Sequence, residues 1–375
     1  MIGKSSVDNP QEVDRHVSSP VQIFMTIHHP SPIRVGIVGL GRAGIPLHLE
    51  PLRSLPQFEI TAVCDPLPGK ARSVAETAGR NARAFATLAE LLASGCCDLV
   101  VIATPSQQHY REAKAVLDAG VDCILEKPMA GTGAEARELA ALAKEKGRHL
   151  FVHHQYLFSD ELLFLQEIIA SGRLGEIFHI EAFWCSYQRR WDWQTLRANK
   201  GGQLLNTCPH IISLLLPLLG GDLDVESADL RLIKDAGDTE DHVRFSLRGR
   251  NGITASAMVT SVCALPMPRL TLFGSRGSLQ ENFVEAKLRY YDAAAVPALS
   301  VIDGAAPESS LLREELPWQE EALPVCPGQK RETFHEHVAS VLLKGVPSRA
   351  NADEAARVVE ILETIGQLAH RHAPA

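Results

Sequence analysis

The sequence predicts two units in tandem: an N-terminal α/β domain on a parallel, doubly wound sheet, then an α+β domain with a large, open, mostly antiparallel sheet. Three observations carry this. Short apolar runs alternate with helical stretches from Ile33 to about residue 152, and beyond that point apolar runs follow one another with only turns between them. A chain of 375 residues also exceeds what one hydrophobic core usually supports. The expected organisation is a mobile tail over residues 1–32, a first domain over 33–152 and a second over 153–375.

The first domain opens on Arg-Val-Gly-Ile-Val-Gly after Ile33, a short apolar strand, and its glycine cluster leads into a helical stretch from Ala43 to Leu55. Apolar strands follow at Ile60 to Cys64, Leu99 to Ala103 and Val121 to Leu125, with a helical stretch at Ser106 to Ala119. A helix from Ala134 to Lys146 and a strand at His149 to His153 close the unit. In the second domain the strands are Val225 to Ile233, His242 to Leu247, Ile253 to Val262 and Arg269 to Phe273. Helices at Glu161 to Ala170, at His210 to Leu219, and from about Arg331 and Asp353 cover one face of that sheet. The other face needs a partner, expected to be another subunit in a homodimer or homotetramer. The stretch from Ala293 to Gln329, rich in Pro, Ala and Glu, reads as a long surface excursion.

Composition excludes several classes. Apolar residues make up 45% and charged residues 22%, a globular balance, and the net charge of -8 comes without a clustered basic face. No nucleic-acid or membrane partner is expected. No run of about 18 apolar residues occurs and no secretory signal core precedes Ile33, which places the protein in the cytoplasm. The eight cysteines lack framework spacing and read as reduced thiols. The histidine pairs 28/29 and 153/154, with His335 and His337, lack Cys or carboxylate companions in sequence, so no metal is expected.

Gly39, Gly41 and Gly44 form a GxGxxG between strand and helix, enclosing Arg42 and Ala43. The first glycine permits the tight turn, the second lets backbone approach a pyrophosphate, and the third lets helix and strand pack closely. Free N–H groups at the helix start attract the phosphates. Asp65 ends the second strand, where a carboxylate accepts hydrogen bonds from an adenosine ribose and repels a 2′-phosphate, favouring NAD. Lys70 and Arg72 follow closely, which keeps NADP open. The unit therefore reads as an NAD(P)-binding Rossmann domain.

Ligands of open parallel sheets bind at the carboxyl ends of strands, where Glu126, Lys127 and Pro128 end the fifth. Pro128 restricts Lys127 to an extended conformation and fixes it in place. In the second domain, Gly201-Gly202-Gln203 leads through Asn206 to Pro209 and His210 at the start of an apolar helix. N–H groups there lower the pKa of His210 and favour a neutral imidazole able to accept a proton. Arg189, Arg190, Trp191 and Trp193 form a candidate substrate wall, or an aromatic packing cluster with surface arginines.

These residues together resemble the glucose-fructose oxidoreductase and inositol dehydrogenase (Gfo/Idh/MocA) family, over nearly the whole chain from Ile33. The carriers are the Gly39 to Gly44 turn, Asp65 in Val-Cys-Asp-Pro, Ala-Thr-Pro-Ser with His109, Glu126-Lys127-Pro128, Gly201-Gly202 through His210, and Leu-Phe-Gly-Ser-Arg-Gly-Ser-Leu from 272. The resemblance implies a nicotinamide ring held where the two domains meet, with Lys127 and His210 facing the substrate. It implies that Lys127 binds the reacting hydroxyl, that Glu126 lies beside the nicotinamide, and that Thr104, Pro105 and His109 belong to the cofactor-side loop. Asn206 stands where relatives commonly carry aspartate. An amide orients an imidazole without stabilising its charged form, so more of the proton transfer falls to Lys127. An arginine common after the sixth strand is absent, with His153-His154-Gln155-Tyr156 in that region. The expected activity is hydride transfer between NAD(P) and a secondary alcohol of a sugar, cyclitol or related polyol. An NAD-dependent glycosidase using transient oxidation and a non-catalytic nucleotide-binding regulator are the alternatives.

Overall fold

A computed structural model describes residues 31–67, 69–234, 236–301, 314–325 and 331–371. The expected tail, apart from residues 31 and 32, lies outside them.

The strands β1 (Ile33–Val38), β2 (Phe58–Cys64), β3 (Arg83–Phe85), β4 (Leu99–Ile102), β5 (Asp122–Leu125) and β6 (Leu150–Val152) form one sheet in the order β3-β2-β1-β4-β5-β6. All five pairings are parallel. Every residue of β4, β5 and β6 is buried, as a sheet covered on both faces requires. A π-helical segment, Gly44–Leu49, runs into α1 (Glu50–Arg53), and α2 (Lys70–Ala78), α3 (Leu88–Ala93), α4 (His109–Asp118) and α5 (Gly133–Glu145) complete the unit. Both α3 and α5 begin at capping boxes, Thr87 with Glu90 and Thr132 with Glu135, so their start points are fixed by side chains.

After α6 (Asp160–Ala170) the chain enters an eight-stranded sheet at β7 (Ile177–Cys185), then passes through α7 (Gln203–Asn206) and α8 (Cys208–Leu218). The remaining strands are β8 (Leu223–Arg231), β9 (His242–Gly249), β10 (Thr254–Thr260), β11 (Leu270–Gly274), β12 (Gly277–Glu281), β13 (Glu285–Tyr290) and β14 (Gln319–Pro324). Their order is β14-β13-β12-β11-β7-β10-β9-β8, antiparallel except where β7 meets β10. One face carries the core: Ala255, Ala257 and Val259 of β10, and Ile180 and Ala182 of β7, join Ile211, Leu214 and Leu215 of α8.

Three features differ from expectation. The central strand β7 escapes a search for apolar runs because His179 and Glu181 interrupt it. Part of the stretch from Ala293 to Gln329 is not a surface excursion but the edge strand β14, with Ala286 of β13 opposite Leu323. The last helices, α9 (Phe334–Lys344) and α10 (Ala352–Arg371), do not serve the second sheet alone. Phe334, Val338 and Leu342 of α9 pack with Ile33, Val35 and Ile60 of the first sheet, and α10 divides its apolar face between the two cores.

Candidate active site

The three glycines meet three different constraints. Gly39 has a φ of 88°, and a methyl group there would stand 2.6 Å from the Ala103 carbonyl oxygen. At Gly44 a methyl group would stand 1.8 Å from the Gly39 oxygen, so that helix and strand touch through backbone. Among the described residues, leaving aside its chain neighbours, nothing lies within 4 Å of the methyl position at Gly41, which leaves room for a ligand. Ala43 is the residue capping the helical segment, and Arg42 is exposed, with Nη2 3.9 Å from Asp192 across the cleft.

Asp65 is buried at the end of β2 and accepts hydrogen bonds from the N–H groups of Leu40 (3.1 Å) and Leu67 (3.0 Å). Lys70 Nζ pairs with it at 3.0 Å. Burial alone would raise its pKa, but the Leu67 N–H, Lys70 and the Leu40 N–H together hold it below the usual range. On the facing loop, Thr104 donates to Glu112 (2.5 Å), and buried His109 bridges the Thr104 carbonyl (2.8 Å) and the Pro128 carbonyl (2.7 Å). His109 thus braces the Thr104-Pro105 turn against the Glu126-Lys127-Pro128 turn. The Lys127–Pro128 peptide is cis, which the sequence did not announce.

Glu126 is buried and its Oε1 accepts from His48 Nε2 (2.9 Å) and His153 Nδ1 (2.7 Å), while Oε2 accepts from the Lys127 N–H (3.1 Å). His48 Nδ1 meets His335 Nε2 at 3.1 Å. These contacts overcome the upward push of burial and hold the carboxyl well below its ordinary pKa. His153 therefore does have a carboxylate companion, contrary to the reading of the sequence. The ligand atoms of His48, Glu126 and His153 lie within 4.8 Å of one another, at distances that hydrogen bonds to Glu126 Oε1 account for. His48 gave no signal beyond its place four residues after Gly44.

Lys127 Nζ crosses to the second domain and donates to the Asn206 carbonyl oxygen (2.8 Å) and to Asn206 Oδ1 (3.4 Å). Gln194, which the sequence reading missed, donates to the same Oδ1 at 2.9 Å. Burial lowers the Lys127 pKa, with Glu126 opposing and Arg190 assisting. His210 enters the cleft from the first turn of α8, and its pKa falls well below the ordinary value through burial and then the charge of Lys127. Asn206 does not orient His210: its Oδ1 serves Lys127 and Gln194, and His210 Nδ1 has no hydrogen-bond partner among the described residues. The His210 ring packs instead against Tyr156 (5.2 Å) and Trp184 (5.8 Å). Arg190 lines a cavity with Gln188, Gln194, Asn206, Lys234 and Glu240, whereas Trp191 is 85% exposed and is not among the residues lining it.

Residues 33–154 match the model of an oxidoreductase family with an NAD-binding Rossmann fold, and residues 162–280 match a GFO/IDH/MocA C-terminal domain. The chain belongs to the GFO/IDH/MocA oxidoreductase family. It is 30% identical to an uncharacterized oxidoreductase of Schizosaccharomyces pombe, over 66% of this chain and 70% of that protein. It is 25% identical to the scyllo-inositol 2-dehydrogenase (NADP(+)) of Bacillus subtilis, over 88% and 92% of the two chains. A crystal structure of an NAD-binding protein from Listeria innocua superposes with a TM-score of 0.77 at 23% identity, covering 91% of this chain and 95% of that one. A GFO/IDH/MocA oxidoreductase binds NAD in its Rossmann domain, and the open position at Gly41 with the buried carboxylate of Asp65 fits a dinucleotide. Among the described residues no helix is long and apolar enough to cross a membrane.

Proposed function

We propose that this oxidoreductase acts reversibly on a secondary alcohol of a sugar, cyclitol or related polyol, with Lys127 as the group that takes the hydroxyl proton. The observation that carries this is the setting of Lys127 Nζ, which faces two oxygens of the uncharged Asn206. A neutral amine has two N–H groups and one lone pair. The two oxygens occupy the N–H groups, and the lone pair is left for a substrate hydroxyl. Burial favours that neutral form, and asparagine in place of aspartate does not reverse it. His210, neutral for the same reason, is the second polar group available to the alcohol. Bound NAD supplies the hydride acceptor, held by the Gly39 to Gly44 turn, Asp65, the Thr104 to His109 loop and Glu126. The scyllo-inositol dehydrogenase relative supports a cyclitol or polyol class.

The test is turnover against pH on a substrate found by a cofactor-reduction screen of polyols, cyclitols and sugar acids. Lys127→Ala should lower kcat about a hundredfold, on the order of 3 kcal/mol, and leave NAD affinity intact. Asn206→Asp should move the acid limb to higher pH, because a carboxylate raises the pKa of the amine it faces. Near-normal turnover by a folded, NAD-bound Lys127→Ala protein would overturn the assignment.

The sheet face opposite α8 supports self-association as a homodimer or homotetramer. Alternation along the strands puts Phe183 and Met258 on it, beside Phe178, 56% exposed, and Phe273. Light scattering at micromolar concentration should give a multiple of the chain mass, and a stable monomer would count against this interface. The seven described cysteines are free thiols, which suits the reducing cytoplasm; Cys326 lies outside the described residues.

A further inference from the structure

Three side chains on the segment between β7 and α7 stand behind the Asn206 carboxamide: Arg190, Asp192 and Gln194. Asp192 Oδ1 accepts the Gln194 N–H at 3.1 Å, and its Oδ2 accepts from Arg190 Nη2 at 2.6 Å. Arg190 Nη2 also donates to Gln194 Oε1. Gln194 Nε2 in turn donates to Asn206 Oδ1 at 2.9 Å, and Lys127 Nζ meets the same oxygen at 3.4 Å. The Gln194 backbone is held as well. Its carbonyl accepts the Gly202 N–H at 2.9 Å, and a methyl group at Gly201 would collide with that carbonyl oxygen, so the glycine pair lets the two segments touch.

The direction of this chain of hydrogen bonds is set at its outer end. A carboxamide presents an acceptor on one side and a donor on the other, and its neighbours decide which way it faces; a carboxylate only accepts, and a guanidinium only donates. Asp192 anchors Arg190, and Arg190 takes the oxygen of Gln194. The Gln194 NH2 group is left to face Asn206, whose oxygen must turn towards it. Among the described residues, Gln194 and Lys127 are the partners of the Asn206 carboxamide. Were that amide turned over, its N–H would point at Lys127 and compete for the lone pair of the neutral amine.

We propose that Gln194 is a positioning residue: oriented by Arg190 and Asp192, it keeps the Asn206 oxygen towards Lys127 and so leaves the lysine lone pair open to the substrate hydroxyl. The proposal rests on Lys127 as the proton acceptor. An aspartate at position 206 has oxygen at both ends and needs no such orientation, whereas an asparagine does.

The variants that test this are compared at a pH above the acid limb of each, where added or lost charge near Lys127 no longer limits turnover. Gln194→Met keeps the length of the side chain and removes both ends of the amide; kcat/KM for the screened polyol should fall on the order of fivefold, with NAD affinity unchanged. Gln194→Glu keeps the shape and the bond to Arg190 but offers oxygen to Asn206, which turns the amide over, so its loss should be larger, on the order of tenfold or more. A packing role predicts the reverse order. Combined with Asn206→Asp, which has no amide to turn, Gln194→Met should add less than about a twofold loss. Without cofactor or substrate, solvent exchange of the Gln194 side-chain NH2 group, followed by NMR, should be faster in Arg190→Met than in wild type, although Arg190 bonds the other end of that amide. A milder effect of Gln194→Glu than of Gln194→Met, equal losses from Gln194→Met with and without Asn206→Asp, or exchange unaffected by Arg190→Met would overturn the role of Gln194. If Lys127→Ala retains turnover, the assignment of Lys127 fails instead, and the exchange result still reports on the orientation of Gln194.

Discussion

Asn206 illustrates how one atom changes the division of labour in a site. Its uncharged oxygens hold Lys127 and Gln194 and leave His210 to aromatic packing, which is the ground for proposing lysine, rather than an imidazole paired with a carboxylate, as the base. Lys127 and Glu126 were legible because charged residues at a strand's carboxyl end have few structural reasons to be there. Gln194 and His48 were not, since their partners lie 12 and 78 residues away and only the fold joins them. Lys70 was legible as a neighbour of Asp65, but its effect depends on geometry: paired at 3.0 Å, it answers the Asp65 charge instead of waiting for a 2′-phosphate. Asp65→Ala should therefore weaken NAD binding and narrow the preference over NADP, because the ribose acceptor disappears and Lys70 is released together. Titration of both cofactors against the variant tests this, and unchanged affinities would remove Asp65 from the site.

Elements made of uninterrupted apolar residues were readable, and so were the alternating β9 and β10, whose apolar positions recur regularly; β7 and β14 were not. β4 and β5 are buried on both faces and stand out in sequence, whereas β7 and β14 mix polar and apolar residues and are strands only because neighbours pair with them. The strand-to-helix turn is the best specified element, and its glycines separate folding from binding. Gly44→Ala forces a methyl group onto the Gly39 carbonyl and should destabilise the protein by about 1–3 kcal/mol or more. Gly41→Ala meets no atom of the described residues beyond its chain neighbours, so its melting temperature should hardly move while NAD affinity falls. Thermal melts with NAD titration distinguish the two; equal loss of stability would contradict the division of roles.

At the scale of the whole molecule, the two-domain plan was legible from the change of rhythm near residue 153, but the return of α9 to the first sheet was not. Amphipathic helices state that they must be covered and not by what. That return delivers His335 to His48 and so completes a buried histidine cluster drawn from the first helical segment, β6's end and α9. Burial is the first cause lowering the pKa of His48, His154, His210, His335 and His337, with His154 reaching about 4 and His335 about 2. The sign follows: below about 6.5 the unfolded chain binds protons that the folded one refuses, so stability is full above that pH and is lost as pH falls. Glu281 acts the other way: burial, then the charge of Glu161, raises it to about 8, so the folded chain binds a proton that the unfolded one lacks, and stability rises as pH falls from about 8 towards 4.5. Each fully shifted group contributes up to about 1.4 kcal/mol per pH unit within its window; five histidines lose stability here while Glu281, with the raised Glu112, Glu240 and Glu354, opposes them, and stability should fall between pH 7 and 5.5. Glu126 contributes only below about 4.5, outside this interval. Urea unfolding at the two pH values measures the difference, and His335→Gln should shrink it by about 1 kcal/mol. Stability that is flat from pH 7 to 5.5 would show that water or rearrangement lets these histidines ionise in place.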